Sequence, residues 1–368
     1  MGSKVLETAQ ALAYHSGMGW ATRQYSYAEI DQAGKTLISR RSAPLDVLRA
    51  ITIINNWRAC HQFPLNTMQI RLRDKVKQIG SGQDVLVSQR IKRLPAIESK
   101  LRRLRNVTLV TMQDIGGCRA VVPSIESVYK LANIYKAGRI RHKLVRENDY
   151  IKNPGKDGYR SLHLIYEYSS DKKHPAHNGE CIEIQLRSTL QHAWATTVEA
   201  VDAFASQLLK INQGNETWER FFVLMGCWIA IKEQTPPCPG APSTKELLTE
   251  ELRELSNRLN VVDRLSAIRV SVKHIKQVKG QEKAYYYLID LDIDKKKLMV
   301  STYRKDQAQE VSTKLAEKEL EYRNQASHGI HKDILLASAS SVSELERAYP
   351  NYYTDTVRFV QELREALK

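Results

Sequence analysis

The chain has 368 residues, 42% of them hydrophobic, and a formal net charge of +15 at pH 7. That is enough chain for two compact domains with an ordinary core, and the charge points to a polyanionic partner, nucleotide or nucleic acid, over the plainer reading of a solvated basic surface. Five scattered cysteines (Cys60, Cys118, Cys181, Cys227, Cys238) form no CxxC pair, which fits neither a disulfide framework nor a zinc site. The start MGSKVLETAQ carries no signal-peptide apolar run and no Ser or Thr at position 6 for myristoylation, and the most apolar stretch, Phe221 to Ile231, is too short to span a bilayer. A cytoplasmic protein with no membrane partner is the expectation.

In chain order, residues 1–80 read as mainly helical, with Leu45, Leu48, Ile51, Ile54 and Trp57 at core-face spacing. The pattern then changes to strands: VLVSQRIKR at 85–93, CRAVV at 118–122, RSLHLIYEY at 160–168 and CIEIQLRS at 181–188. Pro95 starts a basic helix. SIESVYKLANIYKAG reads as a helix capped by Ser124 and Gly138. The implied architecture is a mixed α/β (α+β) sheet domain with helices on at least one face. Residues 234–244, QTPPCPGAPST, form the clearest linker, and a charged amphipathic helix runs from about Lys245 to Leu259. A second, smaller α/β pattern follows: AYYYLIDLDI and KKLMVSTYR as a hairpin, a helix over about 307–321, a strand over about 333–339 and a terminal helix with Pro350 near its first turn. The expected division is 1–235, a linker and connecting helix over 236–266, and 267–368.

Three stretches concentrate chemistry. In CIEIQLRS, period-2 alternation sends Ile182, Ile184 and Leu186 to a core and places Glu183, Gln185 and Arg187 together on the other face. The plain reading is a solvated sheet face; the sharper one is a cleft for a charged ligand. In MQDIGGCRAVV, Asp114 precedes Gly116-Gly117, with the strand proper expected after the glycines. A strand-edge Asp near a strand-borne Glu is what a Mg2+ site needs, since Mg2+ takes one or two carboxylates plus phosphates and waters; a turn-capping Asp is the alternative. From Arg90 to Asn106 there are seven Lys/Arg against one acid, Glu98, a cluster suited to a triphosphate. No Walker phosphate loop is present. Finally, NPGKDGYRSLH at 153–163 reads either as a surface hairpin or as a flexible clamp laying Tyr159 on a nucleobase.

Taken together, Arg90-x-Lys92, Asp114-Ile-Gly-Gly-Cys-Arg119, Gly158-Tyr-Arg-Ser-Leu-His163 and Glu183-Ile-Gln-Leu-Arg-Ser188 resemble, in order and spacing, the RelA/SpoT synthetase domain over roughly residues 40–235. The hydrolase His-Asp motif is absent, as in the small synthetase-only branch. That family transfers the β,γ-pyrophosphate of ATP to a ribose 3′-hydroxyl. The resemblance implies Mg2+ held by Asp114 and Glu183, with Glu183 helping to deprotonate the attacking hydroxyl. It implies ATP gripped by Arg90, Lys92 and Lys100, with Arg119 near the adenine. Tyr159 would stack on the acceptor base, and His163, Gln185 and Arg187 would complete the acceptor and phosphate cleft.

Two departures, Gly155 after Pro154 and Gln191-His192 after the catalytic strand, argue against a simple guanosine diphosphate acceptor. Residues 267–368 resemble the pseudo-zinc-finger antitoxin portion of fused toxin–antitoxin synthetases of the CapRel type, though no metal-binding Cys/His set exists; His174/His177 and His328/His331 are lone pairs. In that family a Tyr-x-x-Tyr motif blocks the ATP pocket, and Tyr349-Pro-Asn-Tyr352 fits it; spacing alone favours rings that pack a core with Tyr353, Val357 and Val360, and the resemblance reverses that preference. Toxic members of the branch are similar in modifying the 3′ adenosine of the tRNA CCA end. The implied partners are the tRNA acceptor end and a phage structural protein, such as capsid, as trigger in phage defence. A second basic patch (Lys136, Arg139, Arg141, Lys143, Arg146) would touch the acceptor stem or remain a solvated face. An alarmone synthetase making (p)ppGpp or (p)ppApp from free nucleotides, and a non-catalytic RNA-binding module, are the competing expectations.

Overall fold

A computed structural model describes residues 20–80, 85–138, 141–171, 174–208, 215–259, 261–262, 265, 285–292, 295, 297–326, 332–338 and 356–368. Among the described residues three helices come first, α1 (Tyr27–Ile38), α2 (Pro44–Cys60) and α3 (Gln62–Gln78). Ser26 opens α1 through a capping box with Glu29. In α2, Ile51, Ile54 and Trp57 are buried as their spacing predicts, but Leu45 is 68% exposed. Leu45 lies in the first turn, N-terminal to the stretch that packs on α1, so the helical period runs beyond the contact.

The first part of the sheet follows: β1 (Leu86–Ile91), α4 (Leu94–Arg103), β2 (Gly116–Val122), α5 (Ile125–Ala137), β3 (Lys143–Asp149), β4 (Leu162–Glu167) and β5 (Cys181–Ser188). Ser124 caps α5 and Gly138 closes it, as read from the sequence. Strand β2 begins two residues earlier than expected, because both glycines pair in the ladder: Gly116 with Ile91 and Ile182, Gly117 with Arg90 and Glu183. A Cβ on Gly116 would come within 2.7 Å of Ile182 Cδ1, so the missing side chain is what lets the strands close there.

Helices α6 (Thr189–Leu208), α7 (Asn215–Lys232) and α8 (Lys245–Leu259) follow. The C-terminal part supplies β6 (Tyr286–Asp292), β7 (Lys297–Tyr303), α9 (Ala308–Ala326), β8 (Lys332–Ser338) and α10 (Val357–Ala366). The hairpin, its helix and its strand stand where the residue pattern places them. Pro350, Tyr349, Tyr352, His328 and His331 lie outside the described residues, so the terminal helix is described only from Val357.

The eight strands of the described residues join one mixed sheet in the order β3-β4-β5-β2-β1-β8-β6-β7. Only β2 and β5 pair in parallel; the other neighbours are antiparallel. The C-terminal strands are therefore a continuation of the first sheet through β8 on β1, at Gln89↔Ser338 and Arg90↔Ala337, not a separate sheet.

Two cores sandwich the first five strands. Ile182, Ile184 and Leu186 are each fully buried against Leu65, Met68 and Leu72 of α3 and Val128, Leu131 and Tyr135 of α5. Burying three such side chains is worth about 1.5–3 kcal/mol each. The other core joins Trp194 of α6 with Trp218, Phe221 and Phe222 of α7, Leu248 and Leu252 of α8 and Phe359 of α10. Helices thus lie on both faces, and the polar face of β5 is left partly open between them. Among the described residues no helix is long and apolar enough to cross a membrane.

Candidate active site

The register sets the site. Side chains of paired residues project to the same face. Arg90, Gly117, Glu183 and Ile165 form one row across β1, β2, β5 and β4; Ser88, Arg119, Gln185 and His163 form the next. Gly117 leaves a gap between Arg90 and Glu183. The space above it is a cleft whose lining includes Arg90, Lys92, Asp114, Gly117, Arg119, Glu183 and Gln185. The two acids sought from the sequence thus face one compartment, with the basic cluster beside them.

Asp114 accepts from Lys92 Nζ at 2.7 Å and from Lys100 Nζ at 2.9 Å. Burial favours its protonated form, but the two ammonium groups outweigh this and hold its pKa below the usual range, with Glu183 opposing. Burial depresses the Lys92 pKa, against the pull of Asp114. Lys92 is fixed by its own backbone, which donates to Ile115 at 2.8 Å.

Glu183 sits in a closed hydrogen-bonded ring. Its Oε1 is 3.0 Å from His163 Nδ1. His163 Nε2 is 2.8 Å from the Tyr159 hydroxyl, which accepts from Arg187 Nη2 at 2.6 Å. Arg187 Nη2 also donates to Gln185 Oε1 at 3.2 Å, and Gln185 Nε2 donates to Glu183 Oε2 at 2.6 Å, closing the ring. Burial works against the His163 imidazolium, but the Tyr159 oxygen and the Glu183 carboxylate raise its pKa to about 9. Both ring nitrogens then donate, one to each neighbour. Burial likewise opposes the Glu183 carboxylate, yet His163, Gln185 and Lys92 lower its pKa to about 2. For Tyr159 burial is outweighed by Arg187 and His163, and its pKa falls. Arg187 Nε and Nη1 are buried with no hydrogen-bond partner among the described residues, donors left over for an anion.

The loop 153–161, read from the sequence as a surface hairpin or a flexible clamp, is pinned at its base. Arg160, 2% exposed, donates to Gly226 O, Ile151 O, Thr235 Oγ1, Pro236 O and Cys238 Sγ. It ties the loop to α7 and to the linker, which is a packed strap here. Gly158 has φ +83° and lies against Gly226, where a Cβ would come 2.7 Å from Gly158 O. Next to these contacts Tyr159 stands edge-on to Tyr150 and Trp194, its ring half-buried and its hydroxyl tied down.

Sequence reasoning missed Glu199 of α6. Its Oε2 lies 3.9 Å from Arg90 Nη1. Burial raises its pKa, but Arg90, Arg119, Arg187 and Arg93 outweigh this and hold it low. The seven-residue step from His192, whose Nδ1 is 3.5 Å from Arg119 Nη1, is the signal that both share the helix face packed against the cleft arginines. The second basic patch is partly neutralised: Lys136 pairs with Glu147 at 3.0 Å and Arg141 with Asp171 at 3.7 Å, while Arg139 lies outside the described residues. His177 is spent on structure, its Nδ1 3.0 Å from Cys60 O and its ring stacked on Phe63.

The oxygen donors of Asp114 and Glu183 on one cleft suit a hard divalent cation such as Mg2+. Two carboxylates beside three cationic side chains also suit a nucleoside triphosphate, which brings its own oxygen ligands.

Residues 89–205 match the model for the region found in RelA/SpoT proteins. The chain is 32% identical over 112 residues to the GTP pyrophosphokinase YwaC of Bacillus subtilis, covering 29% of this chain and 52% of that protein. It is 32% identical over 117 residues to the GTP pyrophosphokinase YjbM of the same organism, covering 30% and 52%. The chain thus spans about half the length of these curated relatives. Among solved structures it is similar to small alarmone synthetase 1 of B. subtilis (19% identity, TM-score 0.39, 56% of this chain and 96% of that one). It is also similar to small alarmone synthetase 2 of that organism (21%, 0.41, 49% and 93%). The strands that carry the cleft thus lie in the part of the chain that matches the region found in RelA/SpoT proteins.

Proposed function

We propose that this chain is an ATP-dependent pyrophosphokinase. A ribose 3′-hydroxyl attacks the β-phosphorus of ATP, a new O–P bond forms, the bond from the β-phosphorus to the α,β-bridging oxygen breaks, and AMP leaves. The observation that carries this reading is the shared cleft: Asp114 and Glu183 face it together with Arg90, Lys92 and Arg119. Lys92, Lys100 and Arg90 offset the triphosphate charge, a role in which Lys92 and Lys100 exchange Asp114 for phosphate oxygens. Asp114 and Glu183 would then hold Mg2+, which supplies further charge neutralisation on the transferring group. Glu183 accepts the hydroxyl proton. A carboxylate this acidic takes the proton late, as expected when the transferring group is already loosely bonded. Tyr159 orients the acceptor base by stacking, worth about 1–3 kcal/mol.

For the acceptor we take the tRNA CCA end, supported by the +15 charge and by the departures at Gly155 and Gln191-His192. The C-terminal part is then the antitoxin half of a fused toxin–antitoxin, with Tyr349 and Tyr352 blocking the ATP pocket until a phage structural protein such as capsid docks. A second reading, synthesis of (p)ppGpp or (p)ppApp from free nucleotides, is favoured by the GTP pyrophosphokinase relatives. Incubation with γ-labelled ATP, with and without candidate triggers, distinguishes them. Label in deacylated tRNA supports the first reading; label only in GDP, GTP or ATP supports the second. No transfer under any activating condition refutes both.

A further inference from the structure

Helix α4 carries Lys100, one of the two lysines on Asp114, yet its own sequence gives it no N-terminal cap. Its N-cap residue, Arg93, makes no side-chain cap hydrogen bond, and Pro95 has no N–H to cap. The cap comes from another part of the chain. Leu94 N donates at 2.9 Å to Glu319 Oε1 of α9, 225 residues further on. The carboxylate lies at the positive end of the helix, where an anion is favoured.

Glu319 is held there by Arg58 of α2. Arg58 Nη1 reaches Glu319 Oε2 at 2.8 Å and Nη2 reaches Oε1 at 3.2 Å, a two-pronged pair with both residues under 5% exposed. The same guanidinium donates through Nε to Lys92 O at 3.0 Å. The turn Lys92-Arg93-Leu94, which joins the strand bearing Arg90 to the helix bearing Lys100, is therefore gripped at both ends. Arg58 holds its first carbonyl and Glu319 its last amide. Neighbouring contacts seat α9 and β6 on the same corner: Gln62 Nε2 donates to Ser312 Oγ at 3.2 Å, and Tyr285 Oη donates to Asn66 Oδ1 at 2.7 Å.

We infer that Glu319 is a positioning residue for the ATP-binding cations, so that the C-terminal part completes the nucleotide site as well as regulating it. This rests on the reading of the cleft as an ATP site. Removing Glu319 leaves the Leu94 amide without its acceptor and Arg58 buried without its counter-ion. The turn then loses its register, and Lys92 and Lys100 lose their common approach to Asp114. The acceptor side, built on β4 and β5, is untouched.

The test uses the full chain carrying Tyr352→Ala, so that the proposed tyrosine block does not mask the pocket. Binding of α,β-methylene ATP and amide exchange over residues 92–100 are measured for this chain and for Glu319→Ala. The expected result is a Kd at least ten-fold weaker, with faster exchange at Leu94 and an acceptor KM within two-fold. Because Glu319→Ala strands a buried charge, Arg58→Met/Glu319→Leu serves as the second variant. Replacing both partners by apolar groups should recover part of the Tm lost in Glu319→Ala while ATP binding stays weak, since the Leu94 amide and the Lys92 carbonyl both lose their partners. Unchanged ATP affinity in either folded variant, or weakened affinity with Leu94 still protected, overturns the positioning role. A parent chain that binds no nucleotide refutes the reading of the cleft itself, a distinct outcome.

Discussion

Replacing His163 by Gln tests the electrostatics of the site without touching Glu183. In the native fold the imidazolium lies 3.0 Å from one Glu183 oxygen, and the His163 side chain is 9% exposed. Its pKa rises from 6.5 to about 9, a shift equivalent to roughly 3 kcal/mol at about 1.36 kcal/mol per unit. Breaking a buried pair by removing one partner costs about 3–5 kcal/mol, the same order. The shift of Glu183 from 4.5 to about 2 reports the same interaction and is not added to it. The sign follows from linkage. A raised pKa contributes stability that is complete below 6.5 and is lost as pH rises through 9; the lowered Glu183 pKa contributes stability that is complete above 4.5 and is lost as pH falls towards 2. The stability difference between the native chain and His163→Gln should therefore be near 3 kcal/mol at about pH 5.5, shrink steadily above pH 6.5 and nearly vanish near pH 9.5. Urea unfolding of both proteins at pH 5.5, 7.5 and 9.5 measures it. A difference that stays constant across that range would refute the charged-pair assignment.

Other substitutions separate the parts of the cleft. Glu183→Gln keeps the shape but removes charge and basicity, and should lower transfer by about 10²–10⁴-fold with the fold intact; full activity removes Glu183 from the chemistry. Tyr159→Ala should raise the acceptor KM by about ten-fold or more while leaving nucleotide affinity within two-fold, the loss expected for one stacked base. Gly117→Ala should narrow the gap between Arg90 and Glu183 and weaken binding of α,β-methylene ATP with little change in Tm, because a Cβ there meets only Glu183 O, at 3.6 Å. Tight ATP binding by that variant would place the triphosphate elsewhere.

Much of this site is legible in a single strand. Alternation in Cys181–Ser188 assigns Glu183, Gln185 and Arg187 to one face, and the structure joins all three in the Glu183 ring. Local capping chemistry gives α5 its ends, and turn residues between two β-rich runs give the β6–β7 hairpin. What escapes such reading depends on partners distant in sequence. The glycines of β2 read as preceding the strand until Ile182 and Glu183 are placed beside them. Arg160 reads as one more strand residue, whereas its hydrogen bonds reach residues 151, 226, 235, 236 and 238. Nothing near Leu94 in sequence announces that its amide is satisfied by Glu319. Nor does local pattern show that the C-terminal strands extend the first sheet, since pairing of β8 with β1 depends on a free edge that only the assembled sheet presents.

Pyrophosphoryl transfer leaves a chemical signature that no other use of this cleft reproduces. With α-labelled ATP, an activated chain and its acceptor, AMP is the expected labelled adenine product, one for each acceptor end modified, and none from Glu183→Gln. Labelled ADP in place of AMP, or nucleotide consumed without a matching modified ribose, would contradict it.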